Sequence, residues 1–291
     1  VGCASLSTPP RVASPTIAIP VGASSFSFAE AAPTAKTEAA RTIRVYTYLP
    51  AKVSATAAPI VFVMHGQGRN ADGYRDVWMK HADKYGFMVV APQFDSAHWG
   101  NLYASADAKV LMREGKPADP ATWSYSVIER LFDAINTATT GKRATYRIYG
   151  HSEGAQFVHR LVWFMPEARY ERAVAANAGW YTMPDPNLAL PYGLAASPAT
   201  AATQKQSLER KVVVLLGKED VDQAHSQLRR TRAAMAQGPH RLARGENFFT
   251  QARERCAALQ CTFGWQLDYV DHAAHSNAQM APKAAALLMV E

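Results

Sequence analysis

The stretch Tyr146-Arg147-Ile148-Tyr149-Gly150-His151-Ser152-Glu153-Gly154-Ala155 decides how the rest of the chain is read. An alternating, β-rich run from Thr145 to Tyr149 stops at Gly150, and Ala155 to Phe164 continues with apolar residues at helical spacing. The pattern is strand, sharp turn, helix, with Ser152 at the apex between two glycines. Such a turn crowds the backbone, so a Cβ two positions to either side of the serine would clash. The hydroxyl is thereby offered on a rigid support at the start of a helix, whose N–H groups and dipole favour a developing negative charge.

Outward from this turn the elements alternate. Arg41 to Leu49 reads as a strand, and Pro59 to Met64 as a strand buried on both faces, closing in His65-Gly66-Gln67-Gly68. Asn70 to Tyr85 has helical spacing and stops at Gly86, Phe87 to Ala91 is a further buried strand, and Trp123 to Thr140 is a helix ended by Gly141. Beyond the serine turn, Arg172 to Ala176, Val212 to Leu216 and Phe263 to Val270 read as strands, and Ala278 to Val290 as the closing helix. Gly179 to Ser207, with its prolines, reads as a loop or small lid. The expected architecture is a mostly parallel sheet covered by helices on both faces. Active residues in such sheets lie beyond the carboxyl ends of the strands, where the suspicious motifs here all fall.

This order of elements, with Gly150-His151-Ser152-Glu153-Gly154 at its centre, resembles the α/β-hydrolase fold over residues 41 to 291. Within it the chain is similar to extracellular polyhydroxybutyrate-depolymerase and feruloyl-esterase-like hydrolases. The resemblance implies a nucleophile, acid and histidine in that chain order. Ser152 is then the nucleophile, which needs a histidine to take its proton. Leu215-Leu216-Gly217-Lys218-Glu219-Asp220 places Asp220 where the family has its carboxylate, with Asp222 and then Glu219 as rivals. Asp271-His272-Ala273-Ala274-His275-Ser276 supplies the histidine. His275 is favoured over His272 because it lies nearer the last helix, although Ala274 stands where the family has glycine. His81, His159 and His225 read as ordinary helix residues. For the oxyanion, the family positions are the backbone amides of Gln67 and Glu153. No metal or organic cofactor is implied.

The chain has 291 residues, 48% of them hydrophobic and 19% charged, which suits one large domain with a sizeable core. No run of about 18 apolar residues offers a membrane span. Residues 1 to 40 are rich in Ala, Ser, Thr and Pro and read as a flexible tether. Val1-Gly2-Cys3-Ala4-Ser5 resembles the end of a bacterial lipoprotein signal. That implies lipidation at Cys3 and a periplasmic, outer-membrane-associated or secreted protein. Cys256 and Cys261 are close enough to bridge, or are buried free thiols; their spacing lacks the further partners of a zinc site.

The formal charge of +7 suggests an anionic partner or none in particular. Seven arginines and no lysine lie between Arg229 and Arg255, at 229, 230, 232, 241, 244, 253 and 255. They are either salt-bridged on a solvated helical face or a basic track, in which Arg241 and Arg244 would grip a carboxylate-bearing polymer. Poly(aspartic acid) hydrolases resemble polyhydroxybutyrate depolymerases, so cleavage of poly(aspartic acid) is one expectation. His65, Trp99, Trp180 and Tyr181 are candidates for contact with substrate, and such aromatics keep an esterase of neutral or aromatic esters as the alternative. A non-catalytic binding module on the same fold is a further reading. No recognition motif for nucleic acid accompanies the charge.

Overall fold

The computed structural model describes residues 17–30, 41–100, 103–104 and 111–290. Cys3, and the lipid attachment expected there, lie outside the described residues. The strand Ile60–Met64 (β3) sits near the middle of an eight-stranded sheet, and each of its five residues is buried. Side chains alternate across a strand, so Ile60, Phe62 and Met64 enter one apolar layer and Val61 and Val63 the other. Each such side chain contributes about 1.5–3 kcal/mol by leaving water.

The sheet order is β1-β2-β4-β3-β7-β8-β9-β10. It comprises Gly22–Ala29 (β1), Thr42–Leu49 (β2), β3, Met88–Gln93 (β4), Tyr146–His151 (β7), Tyr170–Ala176 (β8), Val212–Gly217 (β9) and Trp265–Val270 (β10). β2 runs antiparallel to β1 and β4, and the strands from β4 to β10 are parallel. Two short strands, Met112–Arg113 (β5) and Lys116–Pro117 (β6), form a separate ribbon.

The helices Ala71–Tyr85 (α1) and Asn277–Met289 (α8) cover one face. Trp78 of α1 and Met280, Ala284 and Leu288 of α8 share its apolar layer. Ser126–Ala138 (α3), Glu153–Phe164 (α4) and Arg241–Ala258 (α7) cover the other, where Phe132, Phe157, Trp163 and Phe248 are packed. Ser96–Trp99 (α2), Ala201–Glu209 (α5) and Arg232–Gln237 (α6) are short α-helices, and Pro120–Thr122 forms a single 3₁₀ turn. α1 ends as expected, with Gly86 in the left-handed region at φ 74° and its N–H on the Ala82 carbonyl at 2.8 Å.

Three expectations are corrected. Residues 22–29, read as part of a flexible tether, pair over eight positions with β2, so the sheet begins earlier than the composition suggested. The helix expected from Trp123 begins only at Ser126. The stretch taken as a lid also ends in a regular helix, α5, capped by Thr200, whose hydroxyl accepts from the Thr203 amide. Cys256 and Cys261 are joined as a disulfide at the end of α7. Among the described residues no helix is long and apolar enough to cross a membrane.

Candidate active site

The glycines around Ser152 are required by contact. A Cβ on Gly150 would lie 2.1 Å from the Gly154 carbonyl oxygen, and one on Gly154 would lie 2.2 Å from that of Met64. Between them Ser152 adopts φ 60° and ψ −118°, a conformation that L-residues rarely hold. Its amide donates to the Ala176 carbonyl at 3.0 Å, which ties the turn to the end of β8. The strained turn lifts the side chain above the carboxyl ends of the strands.

Three side chains from three strand ends meet there. His275 Nε2 accepts from Ser152 Oγ at 2.9 Å, and His275 Nδ1 donates to Asp220 Oδ2 at 2.7 Å. Asp220 is 2% exposed. Its second oxygen accepts from Arg241 Nη1 at 3.4 Å, and both partners of that ion pair are buried. Asn177 links the supporting loops: its Oδ1 accepts from the Gly217 amide at 2.8 Å and its Nδ2 donates to the Ala274 carbonyl at 3.2 Å. The rivals stand elsewhere. Asp222 is exposed and accepts from the Ala224 amide, while His272 pairs with Glu219 at 3.2 Å in solvent.

Two cavities flank the serine. One, of about 230 Å³, is lined by residues including Glu153, Gln156, Trp180, Arg229 and Arg241. The other, of about 420 Å³, runs past Tyr74, Val77, His275 and Ala278. Ser152, Gln67 and Gln227 line both, so the two are lobes of one cleft with the hydroxyl between them. Glu153 is the first residue of α4, where amides have no partner within the helix, and Gln67, in the loop after β3, lines the same lobe. Among the described residues no cluster of three or more His, Cys, Asp or Glu side chains converges as a metal site.

Of the residues expected to touch substrate, Trp180 and Arg241 reach the cleft. The others do not. His65 is wholly buried, with Nδ1 donating to the Gly66 carbonyl and Nε2 accepting from the Phe94 amide, so it shapes the loop. Trp99 packs edge-on against Phe94 at 4.8 Å. Tyr181 follows Trp180 but points inward, stacked on Phe248 at 4.4 Å. Arg244 is buried and donates to the Gly179, Arg229 and Gly238 carbonyls. The seven arginines therefore do not form a continuous track. Arg229 does line the cleft, its guanidinium 4.8 Å from the Trp180 ring centre and its Nε donating to Tyr192 Oη at 2.6 Å.

His225 lies in a loop, not in a helix, and its ring meets that of His275 edge-on at 5.7 Å. Burial and then the Arg241 charge hold it below the usual histidine value. Gln227 and Gln156 carried no sequence signal, being polar residues with no motif around them.

Burial forces three histidines to remain neutral: His65, held down to about 3, and His151 and His159, both well below the ordinary value of 6.5. The unfolded chain takes up these protons below about pH 6.5 and the folded chain does not. Stability is therefore lost as pH falls below about 6.5, and for His65 the loss continues down to about 3. Glu153, which burial raises, partly offsets this. Denaturant titrations at pH 7.0 and 5.5 should show the loss; equal stabilities would mean that these rings gain protons in the fold.

Neither a protein-family model nor a curated protein matches the chain. Solved structures do. Poly(aspartic acid) hydrolase-1 from Sphingomonas sp. KT-1 is 44% identical, with a TM-score of 0.86 over 94% of this chain and 100% of that one. The chain belongs to the α/β-hydrolase family that includes this poly(aspartic acid) hydrolase. A second member, the poly(3-hydroxybutyrate) depolymerase LpqC from Bordetella parapertussis, is 30% identical, with a TM-score of 0.83 over 92% of this chain and 89% of its own. An S-formylglutathione hydrolase from Agrobacterium tumefaciens, 17% identical with a TM-score of 0.54 over 93% of this chain and 95% of its own, shares the fold. The chain is a serine hydrolase of the α/β-hydrolase fold.

Proposed function

We propose that the protein cleaves poly(aspartic acid) through an acyl-enzyme on Ser152, with His275 as base and Asp220 as its partner. The observation that carries this reading is the hydrogen-bonded series Asp220, His275, Ser152 at 2.7 and 2.9 Å, opening on a cleft with a lobe on each side. Ser152 Oγ attacks the carbonyl carbon while its proton passes to His275 Nε2. Asp220 holds Nδ1–H in place and stabilises the imidazolium. The Gln67 and Glu153 amides hold the oxyanion. The carbon–nitrogen bond then breaks and His275 protonates the leaving amine. Water gives a proton to His275 and attacks the acyl group, and collapse releases the acid and returns the proton to Ser152.

Arg229 in one lobe supports a substrate bearing carboxylates, and so does the likeness to the relative from Sphingomonas. An extracytoplasmic location suits both a polymeric substrate and the Cys256–Cys261 disulfide. The test is product size over time from poly(aspartic acid) and from poly(3-hydroxybutyrate), at low and high salt, with Ser152→Ala as control. Cleavage of poly(aspartic acid) that weakens with salt supports the reading, because charge attraction in the open cleft is screened. Cleavage of the polyester alone overturns it. That second reading is favoured by Val77 and Ala278 in the other lobe and by the relative from Bordetella.

A further inference from the structure

We infer that the Arg69–Glu153 ion pair is a clamp that sets the distance between the two halves of the oxyanion hole, making both side chains positioning residues for turnover. The inference rests on the proposed oxyanion role of the Gln67 and Glu153 amides. These amides belong to separate segments, the loop after β3 and the first turn of α4, and useful donors must lie about 2.7–3.1 Å from the oxyanion's place, a window a few tenths of an ångström wide. Something has to hold the two segments in register.

Arg69 is built to do so. It follows Gly66-Gln67-Gly68 with φ 55°, and its amide closes the turn on the Gly66 carbonyl at 3.2 Å. From there its guanidinium reaches three segments. Nη1 donates to the Phe94 carbonyl at 3.2 Å, and Nη2 to the Gly100 carbonyl at 3.0 Å and to Glu153 Oε1 at 3.2 Å. The guanidinium lies 4.5 Å from the centre of the Tyr103 ring, and the Tyr103 hydroxyl donates to the His65 carbonyl at 2.8 Å. One cluster thus fixes the oxyanion loop at both its ends and ties it to the residue after the nucleophile.

The pair has an electrostatic task as well. Glu153 puts a carboxylate one residue from the site of a developing negative charge, which opposes that charge. Burial raises its protonation range, and Arg69 and then Arg160 act against that. Its second oxygen is buried, with no hydrogen-bond partner among the described residues. With Arg69 removed, the carboxylate loses its ion-pair partner beside the oxyanion. Both effects act on the transition state more than on bound substrate, so they appear in kcat and not in KM.

The experiment compares Arg69→Met, Glu153→Ala, Glu153→Gln and the double variant Arg69→Met/Glu153→Ala. Turnover is measured on a soluble ester per active site, the sites being counted by complete reaction with a fluorophosphonate. Arg69→Met and Glu153→Ala are each expected to lose roughly 10–100-fold in kcat, below the ~10²–10³ of a deleted donor. KM should move by less than about threefold. Affinity for an aryl trifluoromethyl ketone, whose adduct carries an oxyanion, should fall in parallel. Glu153→Gln keeps an oxygen for Arg69 and should recover most of the loss, and the double variant should be no slower than either single one. A purely structural pair would lower the melting temperature and the number of titratable sites while kcat per site stayed constant, and that result overturns the clamp. Multiplicative losses in the double variant also overturn it. Activity surviving in Ser152→Ala would instead remove the serine mechanism on which the clamp depends.

Discussion

Ser152→Ala should lower turnover by about 10⁴–10⁶-fold, while leaving the fold and the cleft intact. The side chain loses one oxygen and keeps its Cβ, so the backbone at φ 60° meets the same contacts as before. His275 Nε2 then faces no nucleophile, whereas the Gln67 and Glu153 amides remain. A residual rate above that of water is therefore expected, supplied by binding and the two amides proposed as oxyanion donors. Rates on a soluble ester, paired with labelling by a fluorophosphonate, check this. Labelling should vanish with activity. A variant that kept a tenth of the wild-type rate would show that another group attacks, and His275 at 2.9 Å from Ser152 would need a different role.

The turn at Ser152 was legible because a crowded backbone leaves few choices of residue, and the two glycines record that crowding directly. Buried strands were legible for a similar reason, since Ile60 to Met64 must satisfy two apolar layers at once. β1 was not. Gly22 to Ala29 holds mostly small residues, with Phe26 and Phe28 as its only large apolar side chains, and it owes its order to pairing with β2. Composition does not report a non-local partner. The arginines were hard to read because sequence gives charge without its destination. Yet α7 did carry a clue: Arg241, Arg244, Phe248, Ala252 and Cys256 are three or four residues apart and form its buried stripe. An arginine on such a stripe is committed to internal acceptors, as Arg244 is to carbonyls and Arg241 to Asp220. Trp180 and Tyr181 show the complementary limit, because neighbouring aromatics in a loop face opposite ways and only one reaches the cleft.

Asp220→Asn is expected to lower kcat/KM by about 10⁴-fold, and the reason is the tautomer of His275. In the native site Nδ1 carries the proton toward Asp220 Oδ2 at 2.7 Å, which leaves Nε2 free to accept from Ser152. An asparagine can present its amide N–H to Nδ1, and the ring then carries its proton on Nε2, facing the serine that the proposed mechanism has it deprotonate. The same change leaves Arg241, 2% exposed, without its carboxylate. Breaking a buried pair from one side costs about 3–5 kcal/mol, so a lower melting temperature should accompany the loss. The two effects separate by measurement. If instability alone were at work, kcat per titrated site would stay native at a temperature where the variant is folded, whereas the tautomer argument requires the full loss there. Asp222→Asn is the control, since Asp222 is exposed and serves the Ala224 amide. A native rate in Asp222→Asn beside a 10⁴-fold deficit in Asp220→Asn assigns the carboxylate to Asp220, and the reverse pattern would move it two residues along the loop.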